Sequence, residues 1–184
     1  ISTAQYNIGV KYNNGEGVPQ NYTKALEWFR KAAEQGLSAA QVRIGYLYEM
    51  GKGVPQNYTK ALEWYRKAAE QGNAGAQNDI GVMYDKADGV TENDPEAEIW
   101  YRKAAEQGHL TAQRNLGFLF SNENQGVIKN LVEAYAWLSI AATQGDEDSK
   151  KRLPYIKESM KNHEINSGQK LASEYWEKYV VPFQ

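Results

Sequence analysis

Histidine is the residue best suited to metal binding or acid–base catalysis near neutral pH, and the sequence has two, His109 and His163. Neither has a carboxylate or a nucleophile at a spacing typical of a catalytic triad or a metal cluster. No cysteine is present, which excludes disulfides, thiolate nucleophiles and cysteine metal sites together. We therefore interpret both histidines as surface imidazoles and predict no catalytic residue, no metal and no cofactor.

Two glycine-rich turns, GEG at residues 15–17 and GKG at residues 51–53, lead into helices as phosphate-binding loops do. They follow predicted helices rather than strands, and they lack the third glycine and the Lys-Ser/Thr pair of known phosphate loops. The acidic loop at residues 85–94 misses the alternate-residue ligand pattern of an EF-hand. The acidic run at residues 146–148 is explained as favourable charge at the start of a helix. We interpret these segments as turns and caps.

The composition is that of a folded chain rather than a disordered or membrane-spanning one. Of 184 residues, 41% are hydrophobic, 24% are charged and 12% are aromatic. The 21 basic and 23 acidic residues give a net charge of −2, so we expect neither nucleic-acid binding nor attraction to an anionic membrane. No stretch approaches the roughly 18 consecutive apolar residues of a transmembrane helix. Because the sequence opens with Ile1 rather than Met, we interpret it as a mature or trimmed chain. The compartment stays open, with an exported or periplasmic location in a bacterium favoured over the cytoplasm.

The chain is built from repeats of 36 residues, and these repeats must position any functional site. Glycines recur at that step at positions 9, 45, 81 and 117, and tryptophans recur in phase, with one extra residue before the last. The insertion falls between Ser121 and Gln125. We divide the chain into four repeats and a nonrepeating C-terminal segment, together a single domain of residues 1–184: 4–39, 40–75, 76–111, 112–148 and 149–184.

The sequence of each repeat predicts a hairpin of two helices. In the first repeat the apolar stripes of the two helices are Ala4, Ile8, Tyr12 and Ala25, Trp28, Ala32. An asparagine precedes the second helix of every repeat and predicts an N-cap: Asn21, Asn57, Asn93 and Asn130. We expect Trp28, Trp64 and Trp100 to be largely buried. We also expect Gly9 to let a neighbouring helix approach closely, with the small pair Ala32-Ala33 opposite it.

A lone helix hairpin cannot bury both of its faces, so we expect antiparallel hairpins to stack into an all-α solenoid. The repeated residues resemble the Sel1-like repeat family, which is related to the tetratricopeptide repeats. In the second repeat the family pattern is matched by Ala40, Ile44-Gly45, Tyr48, Gly51-Lys52-Gly53-Val54, Lys60-Ala61, Trp64 and Lys67-Ala68-Ala69-Glu70-Gln71-Gly72. The third repeat departs from the pattern at Ala87, which replaces the first loop glycine, and the fourth departs at Phe120 and in its lengthened loop. These departures affect the expected loop geometry and not the fold.

Residues 149–184 do not repeat, and we expect them to form helices that cap the end of the solenoid. Pro154 replaces the glycine of a fifth first helix, and a further helix is predicted from about Asn162. An open end would leave apolar surface uncovered, which favours the cap. The alternative is that Trp176 and the tail at residues 180–183 form a hook that binds a partner.

A second stripe on the first helix of each repeat varies between repeats, whereas the core positions barely change. The family resemblance implies that this face lines the concave groove of the solenoid, and tyrosine, arginine and phenylalanine are typical of binding hot spots. The predicted groove residues are Tyr6, Val10, Asn13, Val42, Tyr46, Glu49, Met50, Asn78, Val82, Asp85, Arg114, Phe118 and Ser121. The alternative is that the three valines pack against adjacent first helices, and we expect them to be partly in the core. We expect these seven to be exposed: Tyr6, Tyr46, Glu49, Met50, Asn78, Arg114 and Phe118.

These observations favour a non-enzymatic module that binds a protein or peptide partner through its concave groove. We expect a monomer that neither binds nucleic acid nor inserts into a membrane. The family resemblance implies a bacterial adaptor or an exported factor that meets host proteins, and an immunity protein that neutralises a secreted toxin is one alternative. The other is a hydrolase, because β-lactamase activity has been assigned to some cysteine-rich relatives. Their disulfide framework is absent from this sequence, and no activated serine is evident.

Overall fold

A computed structural model describes residues 1–122 and 129–183. These residues contain ten α-helices, one short 3₁₀ helix (Val181–Phe183) and no β-strand, so the predicted all-α class of helix-hairpin repeats is confirmed. The α-helices are α1 (Ser2–Asn14), α2 (Tyr22–Ala33), α3 (Ser38–Met50), α4 (Tyr58–Glu70), α5 (Ala74–Asp85), α6 (Asp94–Ala105), α7 (Leu110–Ser121), α8 (Leu131–Thr143), α9 (Glu147–Glu158) and α10 (Asn162–Tyr179). Most of the predicted insertion between Ser121 and Gln125 lies outside the described residues.

The described residues form two compact units. The N-terminal unit comprises Ile1–Met83 with Ala87–Thr91, and it holds α1 to α4 and most of α5. The C-terminal unit comprises Tyr84–Lys86 and the described part of Glu92–Gln184, and it holds α6 to α10. Within these units α1 packs on α2, α3 on α4, and α7 on α8, as expected for hairpins.

The predicted asparagine caps are confirmed in all four repeats. In the first repeat the side-chain oxygen of Asn21 accepts a hydrogen bond from the backbone N–H of Lys24 at 2.9 Å, and its own backbone N–H donates to the carbonyl of Tyr12 at 2.8 Å. The side chain of Asn21 therefore caps the second helix, and its backbone connects that helix to the first by a hydrogen bond. The side chains of Asn57, Asn93 and Asn130 cap α4, α6 and α8 in the same way.

The helix-crossing glycines face large side chains, not the Ala-Ala pair that we predicted. A Cβ atom added to Gly9 would lie 2.6 Å from the ring of Phe29, and one added to Gly45 would lie 2.6 Å from the ring of Tyr65. In the fourth repeat Gly117 meets Leu138 at the same distance. In these three repeats the glycine thus clears space for the side chain of the residue that follows the tryptophan.

The prediction that Trp28, Trp64 and Trp100 are largely buried is wrong, because all three are only partly buried. The ammonium group of the lysine three residues later lies 4.3 Å from each ring centroid and covers its open face: Lys31, Lys67 and Lys103. The neighbouring Phe29 and Tyr65 are buried instead, with 0% and 1% exposure. The buried arc of the second helix is therefore centred one residue away from the tryptophan.

Paired glutamines form a hydrogen bond between the two helices of a repeat, at the end of the hairpin opposite the loop that connects the helices. Gln71 donates to the side-chain oxygen of Gln41 at 2.8 Å, and Gln144 donates to that of Gln113 at 2.6 Å. Gln35 donates to Gln5 in the same geometry. Because Gln41 and Gln113 are buried, each needs such a partner. This contact was not predicted from the sequence, although both positions are glutamine in all four repeats.

The turn after the first helix keeps its conformation where the glycine is replaced. Gly15 and Gly51 follow α1 and α3 with φ angles of +76° and +64°. Ala87, at the equivalent position of the third repeat, adopts a φ of +58°. A left-handed alanine is strained by about 1 to 2 kcal/mol relative to glycine, so the surrounding repeat must hold it there.

The C-terminal segment covers α8, as expected for a cap, and α10 begins at the predicted Asn162. A Cβ atom on Gly168 of α10 would lie 2.8 Å from the ring of Tyr135, so the two helices are in close contact. In the tail Val180 is buried, whereas the 3₁₀ helix that follows it is largely exposed. No helix within the described ranges has both the length and the apolar character of a membrane span.

Candidate protein-binding surface

The first-helix surface is the set of predicted groove residues on α1, α3, α5 and α7, taken separately in each unit. Met50 is exposed at 46%, and Asp85 is also exposed. Nine others are partly exposed: Tyr6, Val10, Asn13, Val42, Tyr46, Glu49, Val82, Arg114 and Phe118. Val10, Val42 and Val82 are thus partly in the core, which confirms that expectation.

Two residues of the predicted set are buried. Asn78 is only 6% exposed, so the prediction that it is exposed is wrong, and its side-chain amide donates to the carboxylate of Asp79 at 3.3 Å. Ser121 is 5% exposed, because its hydroxyl donates to the carbonyl of Phe118 at 2.8 Å and Arg152 of α9 lies over it. Both side chains are engaged inside their own unit and offer a partner little contact area.

In the N-terminal unit two half-buried tyrosines are held by cations. The ring of Tyr6 packs 5.6 Å from that of Phe29, and Arg43 donates to its hydroxyl at 3.4 Å. The ammonium group of Lys52 donates to the hydroxyl of Tyr46 at 3.1 Å and lies 5.1 Å from its ring. This hydrogen bond raises the pKa of Lys52 above its ordinary value. The rings are therefore fixed in place with part of each face open to solvent.

The two acidic residues of the surface serve buried tyrosines of their own repeats. Tyr65 donates its hydroxyl proton to Glu49 at 2.5 Å, and Tyr101 donates to Asp85 at 3.0 Å. Burial, followed by the bond to Glu49, raises the pKa of Tyr65. The first and fourth repeats have no hydroxyl at that core position, and their first helices end without an acid: Phe29 with Asn13, and Leu138 with Ser121.

Asp79 is a partly buried acid whose role was not predicted from the sequence. Burial raises its pKa to about 6, the hydrogen bond from Asn78 opposes that shift, and the negative charge of Glu49 adds to it. The negative charge of Glu49 on α3 therefore disfavours ionisation of Asp79 on α5 inside the N-terminal unit.

In the C-terminal unit the surface continues from α7 onto the nonrepeating α9. Arg114 pairs with Asp146 at 3.3 Å and with Asp148 at 3.5 Å, so its charge is matched. Phe118 lines a cavity together with four residues of α9: Asp148, Lys151, Arg152 and Tyr155. Lys151, Arg152 and Tyr155 were not predicted from the sequence, because a segment without a repeat gives no register from which to place side chains.

The two histidines differ in the structure. His163 is exposed, as predicted for a surface imidazole. His109 is partly buried, and its Nδ1 atom accepts the backbone N–H of Ala112 at 3.3 Å as the N-cap of α7. Burial lowers the pKa of His109, which keeps the ring neutral and able to accept that bond. Within the described residues, no group of three histidine or acidic side chains is placed to hold a metal ion.

The sequence matches the Sel1 repeat at residues 2–37, 38–73, 74–109 and 110–146. Each matched segment begins two residues before the repeat that we delimited, with the same phase. No match is found among proteins whose functions have been curated.

Three solved structures are similar to this chain. A Sel1 repeat protein from Oxalobacter formigenes is 35% identical with a TM-score of 0.79, over 96% of this chain and 73% of that one. The protein c5321, a protective antigen of uropathogenic Escherichia coli with an SLR fold, is 30% identical with a TM-score of 0.58, over 100% of this chain and 47% of that one. A Sel1 repeat protein from Klebsiella pneumoniae shares the fold at 18% identity and a TM-score of 0.55, over 85% of this chain and 77% of that one.

Proposed function

This chain belongs to the Sel1 repeat family, whose members are in general protein-interaction modules, and we propose that it binds a protein or peptide partner on its first-helix surface. The observation that carries the proposal is that partly exposed aromatic side chains occupy the positions of the first helices that vary between repeats. The crossing glycines and the glutamine pairs make the same contacts in the first, second and fourth repeats, and the asparagine caps recur in all four. Variation at the surface positions is not needed for stacking.

The anchors that we propose are Tyr46 in the N-terminal unit and Phe118 in the C-terminal unit. Each ring is partly buried, so it loses little conformational freedom on binding, and each keeps part of its surface exposed. Held aromatic side chains of this kind dominate the free energy of many protein interfaces. Glu49 and Arg114 contribute less, because each is already engaged by Tyr65 or by Asp146.

We also propose an exported or periplasmic location for the chain in a bacterium. The support comes from c5321, which is a protective antigen and is similar over the whole of this chain. Because the chain spans less than half of that protein, the proposal concerns the location and not a shared activity.

The test is a comparison of partner affinity among surface variants. The partner is captured on the immobilised wild-type chain and purified, and its affinity is measured by calorimetry. We expect Tyr46→Ala and Phe118→Ala each to weaken binding by about 1 to 2 kcal/mol, because truncated anchors dominate interface losses. Phe183→Ala is the control, because Phe183 is 60% exposed in the tail and lies outside the surface.

Circular dichroism establishes that each variant is folded. Unchanged affinity in a folded Tyr46→Ala/Phe118→Ala double variant overturns the assignment of the surface. A loss confined to Phe183→Ala points instead to the C-terminal tail as the binding element.

A further inference from the structure

The cavity beside Phe118 has the dimensions of a pocket for one side chain. It has a volume of about 240 Å³ and lies between α7 and α9 of the C-terminal unit. Phe118 forms one wall, and Tyr155, which is 65% exposed, forms another. Two aromatic walls around an open space favour an apolar side chain between them.

The remaining wall carries two cations, Lys151 and Arg152, beside the acid Asp148. Asp148 pairs with Arg114, and Glu147 pairs with Lys150 at 2.8 Å and is also within the field of Lys151. None of the ion pairs among the described residues includes Lys151 or Arg152.

Among the described residues, the groups that accept hydrogen bonds from Arg152 are neutral. Its Nη2 atom donates to the hydroxyl of Ser121 at 3.3 Å and to the side-chain oxygen of Asn122 at 3.2 Å. Its Nε atom is buried and has no hydrogen-bond partner among the described residues. A guanidinium held by neutral acceptors keeps its attraction for a carboxylate, and Lys151 adds a second, exposed cation at the same rim.

We propose that this cavity binds an acidic peptide segment of the partner, with an apolar side chain between Phe118 and Tyr155 and a carboxylate against Lys151 and Arg152. This inference rests on the proposed function and specifies the chemistry of the partner. A peptide fits the cavity better than a nucleic acid does, because the cationic rim is only two residues wide and Asp148 stands beside it.

The test uses the whole chain labelled with ¹⁵N and three synthetic hexapeptides blocked at both ends: EELFEE, its basic counterpart KKLFKK, and EESSEE. We expect EELFEE to shift the backbone amide signals of α7 and α9, and we expect KKLFKK and EESSEE to leave them in place. We also expect binding of EELFEE to weaken as sodium chloride is raised from about 50 to about 300 mM, because salt screens the charges at an exposed rim. Shifts that appear elsewhere, or no shifts, overturn the proposal.

Charge variants on α9 provide the matched comparison. Lys151→Glu should weaken EELFEE binding about fivefold or more, because it replaces an attraction at the rim by a repulsion. Lys157→Glu changes the net charge equally, on the same helix and at an exposed site outside the cavity, and should change the affinity less than about twofold. Tyr155→Ser tests the apolar wall without changing charge, and it should also weaken binding. Equal effects of Lys151→Glu and Lys157→Glu overturn the proposal.

The outcomes separate this inference from the proposed function. If the partner depends on Tyr46 and Phe118 but is not displaced by EELFEE, the surface assignment stands and the acidic-peptide inference is wrong. If EELFEE binds the cavity while substitution of Tyr46 and Phe118 leaves the affinity for the partner unchanged, the surface assignment fails and the cavity remains a site for acidic peptides.

Discussion

Trp64 in the N-terminal unit and Trp137 in the C-terminal unit occupy the same repeat position in different surroundings. Trp64 is partly exposed and is covered by the ammonium group of Lys67. Trp137 is 0% exposed, because Tyr175 and Tyr179 of α10 lie 4.4 and 5.7 Å from its ring. A repeat position therefore has no fixed role, because its burial depends on what lies beside that copy.

The residues of α8 near Trp137 and α10 differ from those at the same positions of the other repeats. The second helices of the first three repeats carry arginine, lysine and glutamate on this face, whereas α8 carries Ser139, Ile140 and Thr143. A charged side chain at the buried position 140 would lose its hydration, so isoleucine replaces the lysine of the other repeats there. Glu133, which replaces the lysine of the first two repeats, accepts hydrogen bonds from Trp137 at 3.0 Å and from Tyr175 at 2.9 Å.

The comparison predicts a large difference between two identical substitutions. Trp137→Ala should lower the free energy of unfolding by about 3 to 5 kcal/mol, because it leaves a cavity beneath α10. Trp64→Ala should lower it by about 1 to 2 kcal/mol, because part of that ring is already in water. Urea denaturation followed by circular dichroism measures both values. Equal losses would mean that α10 contributes little to the burial of Trp137.

Local signals predicted most of the fold, because they act within one repeat. The 36-residue period, the asparagine caps and the loop glycines are readable from sequence, since capping and left-handed turns involve near neighbours. The burial of the tryptophans was not readable. Trp28 and Phe29 are adjacent apolar residues, and helical periodicity alone does not say which of them lies at the centre of the buried arc.

The candidate surface was less predictable than the fold. Tyr6, Tyr46 and Phe118 were predicted to be exposed but are only partly exposed. The covering of Ser121 by α9 depends on a segment that does not repeat. The structural role of Glu49 had a signal in the sequence, because an acid ends the first helix only where the second helix carries a core tyrosine. That correlation becomes interpretable once the contact between Glu49 and Tyr65 is seen.

The loop glycines give a second matched pair, within the N-terminal unit. Gly17 and Gly53 both have a φ of +73°, but a Cβ atom on Gly17 meets nothing within 4 Å, whereas one on Gly53 lies 2.6 Å from the carbonyl carbon of Tyr22. Gly17→Ala should therefore cost only the left-handed strain, about 1 to 2 kcal/mol. Gly53→Ala should cost about 1 to 3 kcal/mol more, because backbone atoms of the preceding repeat must move.

The backbone at position 53 is thus both left-handed and crowded, whereas at position 17 it is left-handed only. Thermal unfolding of the two single variants, monitored side by side, measures the difference. Identical melting temperatures for the two variants would show that the preceding repeat yields without cost.

The smallest predicted effect concerns the pair formed by Glu49 and Tyr65. Tyr65→Phe leaves the Glu49 carboxylate without its donor, and Glu49→Asn weakens the acceptor of a buried hydroxyl, so each single change should be destabilising. The double variant recreates the pair Asn13 and Phe29, which the first repeat already uses with the same crossing glycine. It should therefore be more stable than the sum of the two losses predicts, with a coupling of about 1 to 2 kcal/mol.

The repulsion between Glu49 and Asp79 cancels from this coupling to first order, because Glu49 is replaced on both sides of the comparison. Urea melts of the wild type and the three variants at one pH give the four free energies that are needed. Additive losses would show that the bond between Glu49 and Tyr65 contributes nothing to stability. In that case the acid at the end of α3 is free to contact the partner, and Glu49→Asn should then weaken partner binding as strongly as Tyr46→Ala does.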